Sequence, residues 1–249
     1  MFNLDKKPAL ILAFLLTLLI IVNFYFLSTS GKPIRIKAGI LRIIDGDTFV
    51  TTDGQTIRLI NINAPEKNEP LASLSKSFLE SFANKSIELE ITGQDKYDRL
   101  LARVYSPEYL NLKLIQLGLA NKFLVDDSEL EAFAGAEDIA IKNSLGIWNK
   151  SSYYKCINAR VDKYLEIVFI TNNCPNADSS GWFIKEEGRK KYIFNTPHFT
   201  ELVIHSGKGI NNNSDLFWNN PSDIWNNDRD TVYIKDQQGG LIFYESYGY

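Results

Sequence analysis

The sequence predicts three parts in succession: a membrane-spanning α-helix, a small five-stranded β-barrel carrying three helices, and an all-β sandwich. Three observations carry that prediction. From Pro8 to Leu27 the chain is apolar and holds no charged residue, and at about 1.5 Å per residue such a run matches the ~30 Å hydrocarbon core of a bilayer. Residues 38–152 alternate Ile-, Val- and Thr-rich segments with segments of helical period. Residues 153–249 show short strand-like runs separated by clusters of Asn, Gly, Ser and Pro, the texture of a β-sandwich.

The first part divides into a cytoplasmic end (1–7), an anchor (8–28) and a linker (29–37) containing Gly31 and Pro33. Lys6 and Lys7 precede the apolar run, and the positive-inside tendency places everything after Ser28 outside the cytoplasm. Lys32, Arg35 and Lys37 on the far side weigh against that orientation. Ser28-Thr29-Ser30 supplies small residues for signal cleavage, but a typical signal core is only about 7–15 residues long. A single-pass anchor with both folded parts extracytoplasmic is the expectation, and secretion after cleavage is the alternative. That compartment permits Cys156 and Cys174 to pair; two buried, reduced thiols are the other reading.

In the second part, Ala38 to Ile44, Thr48 to Thr52 and Thr56 to Ile62 read as a three-strand meander. Asp53-Gly54 marks the second turn. Leu71, Leu74, Phe78 and Phe82 stand at helical spacing within Glu69 to Asn84, with Pro70 suited to a first helical position. Ser86 to Thr92 alternates Ile87, Leu89 and Ile91 with polar residues, a half-buried strand that Arg99 to Tyr105 rejoins. Two more helices follow, Glu108 to Leu117 and Ser128 to Leu145, the latter opened by a Ser128…Glu131 capping box. Five short strands with interspersed helices suggest an OB-type barrel, an α+β domain that leaves one face free for a ligand. In the third part the expected strands are Tyr164 to Thr171, Gly181 to Glu186, Glu201 to His205, Thr231 to Lys235 and Leu241 to Tyr244.

Both histidines, His198 and His205, fall after residue 152, and residues 38–152 contain no cysteine. Histidine-based acid–base chemistry and thiol nucleophiles are therefore excluded for the barrel unless the last part contributes across an interface. Residues 38–152 hold 17 acidic and 12 basic side chains. That balance argues against nonspecific wrapping of long nucleic acid, where affinity comes mainly from phosphate neutralisation, but not against a small catalytic cleft. The remaining chemistry lies in three short stretches: Ile44-Asp45-Gly46-Asp47-Thr48, Arg58 through Asn63-Ala64-Pro65-Glu66, and Asp95-Lys96-Tyr97-Asp98-Arg99.

In that order and on those strands, the three stretches, with Leu145-Gly146-Ile147-Trp148 closing the last helix, resemble the staphylococcal nuclease family over residues 38–149. The resemblance implies a Ca²⁺-dependent phosphodiesterase. Asp47 and Asn63 would bind Ca²⁺ with the backbone carbonyl of Ala64, Glu66 would act on the attacking water, and Arg58 and Arg99 would hold the phosphate. Lys96 and Tyr97 match positions that touch a terminal nucleotide phosphate. The chemistry is coherent: Ca²⁺ takes hard oxygen donors, and guanidiniums bind phosphate bidentately and stabilise the charge that grows on it. The family has aspartate where this chain has Asn63, which implies weaker but not abolished Ca²⁺ binding. It has glycine where this chain has Asp98, a carboxylate placed to compete for Arg99. The family's tyrosines after the Gly118-Leu-Ala element are absent here.

In the third part, Ser180-Gly181-Trp182, His205 through Gly209 and Trp225-Asn-Asn-Asp-Arg-Asp-Thr231 resemble a lamin-tail domain over about residues 160–246. That resemblance implies an immunoglobulin-like sandwich used for binding or attachment, its ligand unknown. Cys156 and Cys174 flank its first strand, where a bridge would brace the edge. The domains expected are thus 38–152, staphylococcal-nuclease-like, and 153–249, lamin-tail-like. The expected function is an anchored extracytoplasmic nuclease acting on DNA or RNA, with single-stranded substrate preferred. The alternative is a barrel that has lost hydrolysis and binds nucleic acid or protein.

Overall fold

The computed structural model describes residues 6–29 and 34–249. Residues 1–5 of the expected cytoplasmic end and 30–33 of the expected linker lie outside it. The chain separates into one unit ending at Arg35 and a second, compact unit, Ile36–Tyr249.

In the first unit a helix, α1, runs Lys6–Thr29, and its side chains are described for 11–23. All of those are exposed. Thr17 Oγ1 donates to the Ala13 carbonyl (2.9 Å) and Asn23 Nδ2 to that of Leu19 (2.9 Å), so its polar side chains are satisfied within the helix. Among the described residues no helix is long and apolar enough to cross a membrane. The spanning segment expected over 8–28 is therefore not supported by what the structure describes.

The second unit opens with β1 (Ile36–Ala38), β2 (Ile40–Ile43), β3 (Thr48–Thr51), β4 (Thr56–Leu59) and the short β5 (Ile62–Asn63). After α2 (Ala72–Glu80) come β6 (Ile87–Gln94), β7 (Leu100–Ser106), β8 (Glu108–Tyr109), α3 (Leu110–Gln116), β9 (Asn121–Lys122) and α4 (Leu130–Lys142). The sheet order is β1-β6-β7-β4-β3-β2. The single strand expected over Ala38 to Ile44 is thus two strands divided at Gly39. One pairs with β6 and the other with β3, so a nearly continuous run of chain serves both edges and curls the sheet into a half-barrel. The core is Phe49, Ile57, Leu59, Ile62, Leu89, Val104, Leu114 and Phe133 with their neighbours.

The Ser128…Glu131 capping box does not form. A 3₁₀ turn, Asp127–Glu129, leads into α4, and Glu129 takes the N-cap position without a side-chain cap. Its carboxylate instead accepts from Arg103 (3.1 Å) and from the Tyr109 hydroxyl (3.3 Å); a partly buried ion pair outweighs an exposed cap.

The rest of the chain forms two four-stranded sheets. One is ordered β10 (Ile157–Asp162), β11 (Ile167–Asn172), β14 (Glu201–His205), β15 (Asp215–Phe217). The other is β13 (Lys191–Ile193), β12 (Phe183–Lys185), β16 (Asp230–Lys235), β17 (Leu241–Tyr247). Val168, Ile170, Leu202 and Ile204 of the first sheet share one core with Ile184, Val232, Ile234 and Ile242 of the second, which makes a sandwich. Cys156 and Cys174 form a disulfide at the β10–β11 end. A third cluster joins barrel and sandwich: Trp148 packs against Tyr233 and Tyr244 at ring-centroid distances of 5.7 and 4.9 Å.

Candidate active site

The Asp45-Gly46-Asp47 turn connects β2 to β3 and is pressed against α2. A Cβ on Gly46 would stand 2.5 Å from Ser75 Cβ and 2.7 Å from Ala64 Cβ, so only glycine lets the turn approach the Ala64 backbone. That approach places Asp47 Oδ2 2.7 Å from the Ala64 N–H and 2.9 Å from Arg58 Nη1. Asp47 Oδ1 accepts from the Thr48 hydroxyl at 2.9 Å. Burial pushes the Asp47 carboxyl up to about 6 against the pull of Arg58, and the charge of Asp45 adds to the rise.

Arg58 is brought beside Asp47 because Thr48 and Arg58 face each other in the β3–β4 ladder. Its guanidinium donates to the carbonyls of Leu59 (2.9 Å) and Ile62 (3.0 Å) and to Asn63 Oδ1 (3.2 Å). Burial lowers its basicity, and the positive charges of Arg99 and Arg189 lower it further, while Asp47 opposes the fall. Asn63, 3% exposed, is oriented from its other end. Its Nδ2 donates to the Gly188 carbonyl at 3.0 Å and lies 3.4 Å from that of Glu187, both on the sandwich turn between β12 and β13. The amide oxygen therefore faces the Arg58–Asp47 side of the site.

Arg99 ends the β6–β7 hairpin, where Asp98 takes the left-handed conformation (φ 62°) that glycine favours. The expected competition from Asp98 is not what binds Arg99. Asp95 does so, its Oδ2 lying 2.8 Å from Arg99 Nε and 2.7 Å from Nη2, while Asp98 Oδ1 accepts from Gln94 Nε2 at 3.4 Å. Tyr97 is exposed, and Lys96 and Arg99 lie 5.1 and 5.5 Å from its ring centre.

Arg58, Asn63, Lys96, Tyr97 and Arg99 line one cleft of about 1000 Å³. Glu66 is not among its lining residues. It stands 44% exposed at the β5–α2 junction, held by Arg189 Nε at 2.5 Å. The sandwich takes a part in this cleft that the sequence does not announce: Gly188, Arg189 and Lys190 line it, as does Phe123 of the barrel. The charged run Glu186 to Lys191 is the visible signal, and in sequence it reads as an ordinary hairpin tip.

The residues expected to bind Ca²⁺ fit a hard cation in kind. Asp47 Oδ2 and Asn63 Oδ1 converge on a single cationic group, the Arg58 guanidinium, and Ala64 is drawn to the same point by its N–H bond to Asp47. They are few in charge: among the described residues no group of three or more His, Cys, Asp or Glu is placed to hold a metal.

Residues 56–150 match the family model described as staphylococcal nuclease homologue, so the chain carries a staphylococcal nuclease domain there; β1 to β3, with Asp47, precede the match and complete its sheet. An uncharacterized endonuclease of Escherichia coli O157:H7 is 33% identical over 91 residues, 34% of this chain and 60% of the relative. An uncharacterized endonuclease of Haemophilus influenzae is 28% identical over 171 residues, 66% of this chain and 94% of the relative. A probable endonuclease of Colletotrichum graminicola is 28% identical over 144 residues, 51% of this chain and 53% of the relative. The chain spans about 60% of the length of the Escherichia coli relatives it matches.

Proposed function

We propose that this chain is a nuclease that hydrolyses phosphodiester bonds of DNA or RNA in the cleft between barrel and sandwich, using Ca²⁺. The observation that carries the reading is that Asp47, Asn63 and Ala64 are tied to one another around Arg58, and that Arg58 and Asn63 line one cleft with Arg99, within a domain whose relatives are named endonucleases. Asp47, Asn63 and the Ala64 carbonyl would hold Ca²⁺, which when bound supplies Lewis-acid polarisation of a phosphoryl oxygen. Arg58 and Arg99 orient the phosphate and stabilise the charge growing on it. Glu66, outside the cleft's lining and joined to it through the lining residue Arg189, accepts a proton from the water that attacks phosphorus once that ion pair opens; one ester P–O bond breaks and the leaving oxygen takes a proton from solvent. Single-stranded substrate suits the cleft because Tyr97 and Phe123 line it and exposed aromatic faces stack unpaired bases.

The same reading places both folded parts outside the cytoplasm, tethered through α1. Its support is the exposed apolar side chains at 11–23 and the Cys156–Cys174 disulfide, a bond that persists in oxidising compartments. Recovery of the full chain in the soluble fraction without detergent refutes the tether. The lamin-tail likeness of residues 160–246 belongs to this proposal too, supported by two four-stranded sheets around one core.

The test is cleavage of single-stranded DNA and RNA oligonucleotides by the full chain, with Ca²⁺ or EDTA, beside Glu66→Gln. Expected is Ca²⁺-dependent cleavage that falls at least about 100-fold in Glu66→Gln. Oligonucleotide binding without cleavage under either condition refutes hydrolysis and leaves a barrel that binds nucleic acid.

A further inference from the structure

The two barrel arginines expected on phosphate are already engaged. Arg58, with its side chain 8% exposed, gives its Nη groups to Asp47, Asn63 and two carbonyls. Arg99, 23% exposed, is gripped through Nε and Nη2 by Asp95. Arg189 is different. It comes from the sandwich, its side chain is 55% exposed, it lines the same cleft, and its ion pair with Glu66 uses Nε of a guanidinium that has five N–H donors.

Its backbone is held firmly. The Glu186 carboxylate accepts the N–H groups of Gly188 (2.6 Å) and Lys190 (2.7 Å). Glu187 accepts from the Tyr249 hydroxyl at 2.5 Å and donates its own N–H to Asp230 (3.3 Å). Asn63 fastens the turn to the barrel through Gly188. Lys190 is drawn away to the Asp223 carbonyl (2.7 Å). The turn thus presents one exposed guanidinium, on a preorganised backbone, over a cleft that holds Arg99 and Lys96.

We propose that Arg189, supplied by the sandwich, is a phosphate-binding residue of the barrel's cleft. Its ligand is the phosphodiester of a nucleic-acid strand. When that phosphate enters, the guanidinium exchanges Glu66 for phosphate oxygens, and the Glu66 carboxylate becomes free to face water. This rests on the proposed function for the identity of the ligand, and its test does not depend on turnover.

The experiment is fluorescence anisotropy of a labelled single-stranded DNA oligonucleotide on the full chain in EDTA, across a salt series. Arg189→Ala is expected to weaken binding about tenfold and to make the slope of log K against log salt shallower by about 0.7, the value for one phosphate contact on a single strand. Arg189→Lys should recover part of the affinity, and Arg189→Gln, which keeps a long polar side chain on the turn, should match Arg189→Ala. Arg160→Ala, on β10 outside the cleft, should bind as wild type. Binding unchanged or tightened in both Arg189→Ala and Arg189→Gln overturns the proposal, and so does a wild-type chain that binds no oligonucleotide. Wild-type cleavage with Arg189-independent binding removes this inference and leaves the proposed function standing; Arg189-dependent binding without cleavage does the reverse.

Discussion

Replacing Asn63 with aspartate restores the residue that the family resemblance implies for Ca²⁺, yet the structure predicts a less stable protein when no metal is present. Asn63 Nδ2 donates to the Gly188 carbonyl at 3.0 Å and lies 3.4 Å from that of Glu187, in a position only 3% exposed. A carboxylate has no proton to give either carbonyl. The exchange removes a hydrogen bond worth about 1 kcal/mol and leaves buried acceptors facing an anion, a penalty of about 1–3 kcal/mol. A stronger contact with Arg58, 3.2 Å away, returns part of that, because charge-assisted bonds are roughly twice as strong as neutral ones. The expected net loss is about 2 kcal/mol in EDTA, or a fall in Tm of roughly 4–8 °C for a unit of this size. Ca²⁺ at about 100 times its Kd would return about 2.7 kcal/mol, so calcium should raise the Tm of the variant more than that of the wild type. Differential scanning calorimetry with and without Ca²⁺ measures both. An Asn63→Asp chain as stable as wild type in EDTA refutes the claim that the sandwich turn depends on this amide.

Two further outcomes follow from the packing. Lys235 donates Nζ to the Ile147 carbonyl at 3.1 Å, and burial, with the charge of Lys185, lowers it from 10.5 to about 7; between those values the unfolded chain carries the extra proton, so stability rises with pH, by at most about 5 kcal/mol over the whole window. Glu187, pushed up to about 8 by its burial, opposes the rise only below that pH, so urea midpoints should climb from pH 8 to 10 and lose that climb in Lys235→Met; a wild-type midpoint that falls over this range refutes it. Reducing the disulfide, or replacing both Cys156 and Cys174 by serine, should cost about 3 kcal/mol, as the 18-residue separation implies in the chain-entropy model; equal urea midpoints for oxidised and reduced chains refute that.

Much of the barrel was legible because its signals are local. Asp53-Gly54 makes the β3–β4 turn, with Gly54 at φ 87°, and the alternation of Ile87, Leu89 and Ile91 marks β6. Where a partner far along the chain decides, the local reading fails. Glu129 is captured by Arg103, and the helix starts from Glu129 instead of from the Ser128…Glu131 capping box. Asp95, rather than Asp98, holds Arg99, because the hairpin turns the nearer carboxylate away from the guanidinium. β15 is three residues long, flanked by Asn and Ser, and lies parallel to β14; such a strand is too short to show alternation. The site was legible as residue types and not as a state: Arg58 and Asn63 are close in sequence, whereas the turn that orients Asn63 and the guanidinium that holds Glu66 arrive more than a hundred residues later.

The cluster around Trp148 also bears on the order in which the protein is made. Trp148 is 1% exposed, and much of what buries it belongs to Tyr233 and Tyr244. At about 5–20 residues per second, the ribosome finishes the barrel's last turn several seconds before it delivers those tyrosines. Until then the indole, with Ile147 beside it, lacks the rings that cover it in the finished chain. A truncation after the barrel would freeze the protein at that stage, a sticky surface where the whole chain has an interior.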